Sequence, residues 1–136
     1  MSIDSVRAIG SNTPYAVALS DDLGHTWTGD EPESLGGGNT GPSPSRLILS
    51  GLAACTVVTV QKYAARKQWP LRGIEVEVQW NPNGKPEDGS TEMRRRVTLR
   101  GELSGEQRKR LLQIANACPM HKALTGIIRV PTELQD

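Results

Sequence analysis

The sequence contains no phenylalanine and only three tryptophans and two tyrosines in 136 residues. Aromatic rings usually supply much of the buried area of a protein core. A core in this chain must therefore be built from leucine, isoleucine, valine and alanine. Because such a core is thin for a single chain of this size, we expect a partner surface to complete it.

The chain also lacks a strong charge of either sign, with 16 lysines and arginines against 15 acidic residues and a net charge of +1. This balance provides no field that would attract nucleic acid or an anionic membrane. No basic segment followed by an apolar run marks a secretory signal. The longest apolar stretch, residues 47–60, contains polar residues and is shorter than the roughly 20 residues of a membrane-spanning helix. We expect a cytoplasmic protein with neither a nucleic-acid nor a membrane partner.

Cysteine is scarce as well, because Cys55 and Cys118 are the only two. Structural disulfides are rare in the cytoplasm, where a disulfide that forms is usually transient or redox-active. The C-x-x-C spacing of a thioredoxin-type dithiol is absent. From the cysteines alone, two buried and unreactive thiols are the favoured interpretation.

The first half of the chain predicts three short strands, a loop and a long helix. The strands cover residues 3–9, 15–19 and 25–28, and the glycine-containing loop covers 29–43. The pair Ser43-Pro44 is a good helix start, and Trp69-Pro70 ends a helix that runs from Pro44 to about Lys67. This helix is apolar on nearly every side, which indicates burial in the middle of an assembly and favours an intimate homodimer.

The second half predicts two paired strands, a second helix and a last strand. Period-two alternation marks strands at 74–80 and 93–99, joined by a polar loop. Ser104 and Gln107 match a capping box that opens a helix reaching Cys118, where Pro119 kinks or restarts it. Residues 127–134 predict an edge strand, since they contain Pro131. This order of predicted strands and helices indicates one α+β domain over residues 1–136.

The alternation of the strand at 93–99 places Arg95 on its apolar face. A buried arginine must be paired, which makes an inward Arg95 unusual. A β-bulge that turns the side chain outward is an equally good interpretation.

If both helices cross the core, the two thiols can meet, provided that their Cα atoms lie within about 7 Å. An apolar site raises the pKa of a thiol unless a cation lowers it. The candidate cations are Arg7, His25, Arg95 and His121. His121 lies three residues after Cys118, which is a same-face spacing if the helix continues past Pro119.

Three segments carry a family resemblance. They are Gly41–Leu47 leading to Leu52-Ala53-Ala54-Cys55-Thr56, residues 63–71, and residues 106–122, which end in Cys118-Pro119-Met120-His121-Lys122. Together they resemble the OsmC/Ohr family of osmotically induced and organic hydroperoxide resistance proteins.

The resemblance implies an OsmC-like fold in which two long central helices pack against antiparallel sheets in an intertwined homodimer. It implies a thiol-dependent peroxidase with an active site at the subunit interface. Cys55 matches the peroxidatic position and Cys118 the resolving position. The implied substrate is a small organic hydroperoxide, and the implied reductant is an external dithiol such as a lipoyl group or another thiol. No metal or organic cofactor is expected.

One departure from the family motivates a second hypothesis. The family's hydroperoxide reductases carry a glutamate ten residues before the peroxidatic cysteine, which orients an arginine from the N-terminal hairpin. This sequence has Ser45 there, with Arg7 or His25 near the arginine's place and Asp30 or Glu31 as substitute carboxylates. The alternative is a redox sensor, or a protein that binds a small hydrophobic ligand and has little peroxidase turnover.

A third hypothesis is a zinc site. Cys55, Cys118, His121 and His25 have the right donor atoms, but their spacing matches no compact zinc motif.

Overall fold

A computed structural model describes residues 3–135, which form three α-helices, a short 3₁₀ turn and five strands in two antiparallel sheets. The predicted α+β class is therefore confirmed. The chain divides into two compact units, Met1–Ile48 and Leu49–Asp136. The assignment of residues 1–136 to one domain remains a prediction.

The N-terminal unit contains a three-stranded meander of β1 (Val6–Gly10), β2 (Val17–Asp21) and β3 (Thr26–Gly29). All three strands lie where the sequence predicted them. The register pairs Leu19 of β2 with Ala8 of β1 and with Trp27 of β3, which puts the larger apolar side chains of β2 and β3 side by side.

A single carboxylate organises the loop after β3. Asp30 is 3% exposed. Its Oδ1 accepts hydrogen bonds from the backbone N–H of Glu31 at 2.7 Å and of Gly38 at 3.4 Å. Its Oδ2 accepts from the backbone N–H and the hydroxyl of Thr40, at 3.1 and 2.6 Å. Burial raises the pKa of this carboxyl, but the two bonds from Thr40 and the backbone donors outweigh burial and lower the pKa to about 2.

Helix α1 (Pro44–Lys67) has the predicted bounds, because serine and two prolines mark its ends locally. Its buried residues, Leu52, Thr56, Val60 and Ala64, recur every fourth position and form one stripe. The remaining apolar surface is open, and Ile48 and Val58 are each 46% exposed. By length and mean hydropathy of 1.4, α1 can span a membrane, a property that the core helices of soluble proteins share.

The C-terminal unit contains β4 (Gly73–Trp80) and β5 (Met93–Arg100), paired in antiparallel register without a break. Helix α2 (Gly105–Ala115) begins with the predicted capping box, since Ser104 Oγ accepts from the Gln107 N–H and Gln107 Oε1 accepts from the Ser104 N–H. The core of this unit joins α1 to α2 through Val60, Ala64, Leu111 and Ala115.

Two sequence predictions about the C-terminal region are wrong. The second helix ends at Ala115 and does not reach Cys118, so α2 has only 11 residues against the 24 of α1. The predicted restart at Pro119 is confirmed, because a separate helix α3 (Pro119–Thr125) begins there. The strand at 127–134 is absent, because the described residues 127–135 are irregular and exposed. Pro131 has no N–H to donate, and no strand of the same chain pairs with this segment.

The Asp30 contacts predict an acid-sensitive loop. Because the folded pKa is about 2 against an ordinary 3.8, the carboxylate stabilises the loop fully above the ordinary value, and this contribution is lost as the pH falls toward 2. We expect Asp30→Asn to lower the thermal midpoint of unfolding by several degrees at neutral pH. The variant should also lack the part of the wild-type loss of stability that occurs between about pH 4 and 2. Glu33→Gln, at an exposed site in the same loop, is the control. Identical melting curves of Asp30→Asn and wild type from pH 2 to 7 would contradict the role of Asp30.

Candidate functional site

The two cysteines lie together although 63 positions separate them in the sequence. Cys55 is in the middle of α1 and Cys118 is the N-cap residue of α3. Both are free thiols, and Cys55 lies near enough to Cys118 to contribute to the lowering of the Cys118 pKa. Cys55 is half-buried, whereas Cys118 is completely buried. Two neighbouring thiols can form a disulfide, which two distant core cysteines cannot do.

Arg95 points into the C-terminal unit, as strict alternation along β5 predicts. It pairs with Val78 of β4 in a continuous register, so the alternative of a β-bulge is wrong. Arg95 is half-buried, while its neighbours Arg94 and Arg96 are exposed. The strand therefore selects one of three consecutive arginines for the site.

The guanidinium of Arg95 connects the strand to both cysteine-bearing segments. Its Nη1 donates to Thr56 Oγ1 at 3.0 Å and to Cys118 Sγ at 4.0 Å. Its Nη2 donates to Asn116 Oδ1 at 2.8 Å and lies 3.0 Å from His121 Nδ1. The planar fork thus fixes four side chains with one cation.

The contact with Arg95 determines the tautomer of His121. An arginine can only donate, so His121 Nδ1 must accept, and the ring proton of the neutral imidazole lies on Nε2. The backbone N–H of the same residue donates to Cys118 Sγ at 3.2 Å. The three-residue spacing of Cys118 and His121 therefore brings them together through a helix start at Pro119.

Thr56 and Asn116 complete the cluster, and the sequence analysis did not identify either. Thr56 is fully buried and donates its hydroxyl hydrogen to the carbonyl of Leu52 at 2.7 Å, which leaves its lone pairs for Arg95. Its Oγ1 lies 3.9 Å from Cys118 Sγ. The available signal for Thr56 was its polar side chain one residue after Cys55 within an apolar helix.

Two opposing effects act on the pKa of Cys118. Burial raises this pKa. The His121 backbone N–H, the side chains of Cys55 and Thr56, and the charge of Arg95 lower it, and together they outweigh burial. The pKa of Cys118 therefore lies below its ordinary value, which favours the thiolate.

The other predicted supporting residues belong to the N-terminal unit. Arg7 is exposed on β1 opposite Ser20. His25 is exposed, and its Nδ1 lies 2.7 Å from Asp21 Oδ2. Glu31 is half-buried in the Asp30 loop, and its backbone carbonyl accepts from the N–H of Asn39. Support of the thiols by Arg7, His25 or Glu31 remains a prediction.

Ser45, at the position of the family glutamate, lies in the first turn of α1. Its hydroxyl is 3.4 Å from the hydroxyl of Ser43, which accepts a hydrogen bond from Arg46 Nη1 at 2.9 Å. This turn therefore contains hydroxyl groups and a cation where the resemblance implies a carboxylate. The carboxylate of Asp30, the other substitute considered, is already occupied by its own loop.

A cavity of about 580 Å³ adjoins the cluster. Six of its eleven lining residues are polar, namely Ser90, Thr91, Arg95, Asn116, His121 and Thr125. The apolar lining consists of Leu52, Met93, Val97, Leu112 and Leu124. A ligand with an apolar body and a small polar group matches such a lining.

Among residues 3–135, no three histidine, cysteine or acidic side chains cluster in a way that can hold a metal ion. Two of the four residues of the zinc hypothesis already have protein partners, since His25 pairs with Asp21 and His121 Nδ1 lies against Arg95.

The family model described as OsmC-like protein matches residues 36–133, and the chain therefore belongs to the OsmC family. No curated protein matches the chain significantly. The matched region contains both cysteines, Arg95 and the helices that position them.

Solved structures show the same fold. An OsmC-like protein from Mycoplasma pneumoniae is 22% identical with a TM-score of 0.75, covering 93% of this chain and 89% of its own. An organic hydroperoxide resistance protein from Legionella pneumophila is 22% identical with a TM-score of 0.66, covering 93% and 91%. The organic hydroperoxide resistance protein OhrB of Bacillus subtilis is 25% identical with a TM-score of 0.62, covering 92% of both chains.

The contacts of Thr56 predict that Thr56→Val destabilises the protein although the two side chains have the same shape. The substitution removes an acceptor from Arg95 inside the site and lowers the free energy of unfolding by about 1–2 kcal/mol. Denaturant unfolding measures this change. Thr98→Val, at an exposed position of β5, should stay within about 0.5 kcal/mol of wild type. Equal stability of the Thr56 and Thr98 variants would contradict the assigned role.

Proposed function

We propose that the protein is a thiol-dependent peroxidase that reduces organic hydroperoxides to alcohols with Cys55 and Cys118. The observation that carries the proposal is the proximity of the two free thiols, on α1 and at the start of α3, in a chain with no other cysteine. Membership of the OsmC family supports it, as do relatives named organic hydroperoxide resistance proteins.

The difference in exposure supports separate roles for the two thiols. Cys55 is half-buried and Cys118 is fully buried, so the peroxide reaches Cys55 first. The Cys55 thiolate attacks one peroxide oxygen, the O–O bond breaks, and the alkoxide takes up a proton and leaves as the alcohol. Cys55 is thereby oxidised to the sulfenic acid.

The second step closes the disulfide. Cys118 attacks the sulfur of the sulfenic acid, the S–O bond breaks and water leaves after protonation. An external dithiol, such as a lipoyl group or another thiol, then exchanges with the disulfide and restores both thiols. These steps require no metal or organic cofactor.

The cavity beside Arg95 supports an organic substrate in preference to hydrogen peroxide. Five of its lining residues are apolar, and burying an alkyl group against them contributes about 25 cal/mol per Å². The same cavity favours the second candidate function, a redox sensor or a binding protein for a small hydrophobic ligand with little turnover. The hydroxyl of Ser45 at the position of the family glutamate also favours this alternative.

Mixing purified protein with an organic hydroperoxide and a dithiol distinguishes the two functions. We expect catalytic consumption of peroxide by wild type and only the uncatalysed background with Cys55→Ser. Cys118→Ser should oxidise Cys55 once and then stop, leaving a sulfenic acid that a dimedone adduct reveals by mass spectrometry. A wild-type rate in Cys55→Ser would overturn the peroxidase. A co-purified ligand together with no disulfide after peroxide treatment would establish the alternative.

We further propose that the protein acts as a cytoplasmic homodimer in which a second copy covers the open face of α1. The exposed apolar side chains of Ile48 and Val58 support this assembly, since a soluble chain rarely leaves such a helix uncovered. The location of the active site at the subunit interface and the intertwined arrangement belong to the same proposal.

Light scattering tests the dimer directly. Wild type should have twice the 14.7 kDa mass of one chain, and Val58→Glu should shift the protein toward one chain because it places a charge in the covered face. Thr98→Glu, on the exposed face of β5, should leave the mass unchanged. A wild-type mass of one chain at micromolar concentration would refute the assembly.

A further inference from the structure

Arg95 is a half-buried cation without a carboxylate partner. Among residues 3–135 it forms no ion pair with an aspartate or glutamate. Its four contacts are a threonine hydroxyl, an asparagine carbonyl, the lone pair of a histidine ring and a cysteine sulfur. A dehydrated cation is stable only when an anion or well-placed acceptors compensate for the lost water.

Cys118 is the only one of these contacts that can carry a negative charge. Thr56 and Asn116 do not ionise in this range, and a histidine ring carries no negative charge. The titratable and charged groups that face Cys118 are Arg95 from β5, Cys55 from α1 and His121 from α3. Arg95 and His121 do not oppose ionisation of Cys118 by repulsion, and Cys55 opposes it only when it is itself a thiolate.

The donors around the Cys118 sulfur replace the water that burial removes. The His121 backbone N–H lies at 3.2 Å and Arg95 Nη1 at 4.0 Å. Hydrogen bonds to a charged group are about twice as strong as those between neutral groups, so these donors stabilise the thiolate more than the thiol. The net lowering of the Cys118 pKa agrees with this geometry.

We propose that Arg95 is a positioning residue that holds Cys118 as the resting thiolate, so that the disulfide-forming step starts from a preformed nucleophile. This inference deepens the proposed function and rests on it for its biological meaning. The Cys118 sulfur supplies the electron pair of the new S–S bond, while the sulfenic S–O bond breaks and hydroxide leaves as water after protonation. A fast closure leaves less time for a second peroxide to oxidise Cys55 to the sulfinic acid.

The first experiment requires no peroxide. In the Cys55→Ser background, ultraviolet thiolate absorbance reports the titration of Cys118 alone. Adding Arg95→Gln should raise the midpoint by about 1 to 3 pH units, because it removes an adjacent opposite charge. Arg95→Lys should raise the midpoint less than Arg95→Gln does, since lysine keeps the positive charge but lacks the planar guanidinium. Arg94→Gln, at the exposed neighbouring position, should leave the midpoint unchanged.

The second experiment measures Cys118 as a nucleophile. With both cysteines present, an aromatic disulfide reagent forms a mixed disulfide at Cys55, and attack by Cys118 releases the coloured thiolate of the reagent. At neutral pH, Arg95→Gln should slow this release by up to about tenfold for each pH unit by which the midpoint rises above the assay pH, and high pH should restore the rate.

A purely structural role of Arg95 gives a different pattern. In that case, Arg95→Gln would lower the rate of disulfide closure equally at every pH and would leave the titration midpoint of Cys118 unchanged. Either result would overturn the proposal. Equal midpoints for the glutamine and lysine variants would overturn it too, since charge would then have no effect. Neither measurement uses peroxide. A wild-type protein that fails the peroxidase assay would therefore refute the proposed function, while the effect of Arg95 on Cys118 could still be measured.

Discussion

The contact between the Arg95 guanidinium and the sulfur of Cys118 is the interaction on which the site depends. It requires β5 to present one arginine inward, Asn116 to follow the last residue of α2 and Cys118 to precede the first residue of α3. It also requires the mid-helix hydroxyl of Thr56, which holds the guanidinium against α1. One cation thereby fixes β5 relative to three helices, α1, α2 and α3.

The chemistry follows from the unequal environments of two identical side chains. Cys118 is buried among donors and has a depressed pKa, whereas Cys55 is half-buried on an apolar helix. A proton shared between two such thiols belongs to the pair, and its position is set by the surroundings of each sulfur. In the proposed mechanism, burial and hydrogen bonding therefore separate the thiol that meets substrate from the thiol that closes the disulfide.

Local signals in the sequence determine the features that could be predicted. Proline and serine mark both ends of α1, and Ser104 with Gln107 marks the start of α2. The apolar–polar alternation along β5 predicted an inward Arg95 but could not exclude a β-bulge. The unbroken pairing of β5 with β4 excludes the bulge, and this pairing is visible only in the structure. Thr56 and Asn116 were missed since their roles arise where β5 crosses the helices, which no sequence spacing encodes. The strand at 127–134 was predicted from composition alone, and composition does not supply a pairing partner.

The start of α3 has a property that depends on the oxidation state of the protein. Cys118 caps this helix with its sulfur, which accepts the His121 amide hydrogen at 3.2 Å. A thiolate is a strong acceptor and a disulfide sulfur is a weak one, so the proposed disulfide would weaken the cap of a helix only seven residues long. Through this cap, the electronic state of one sulfur atom acts on the backbone of the segment that follows it.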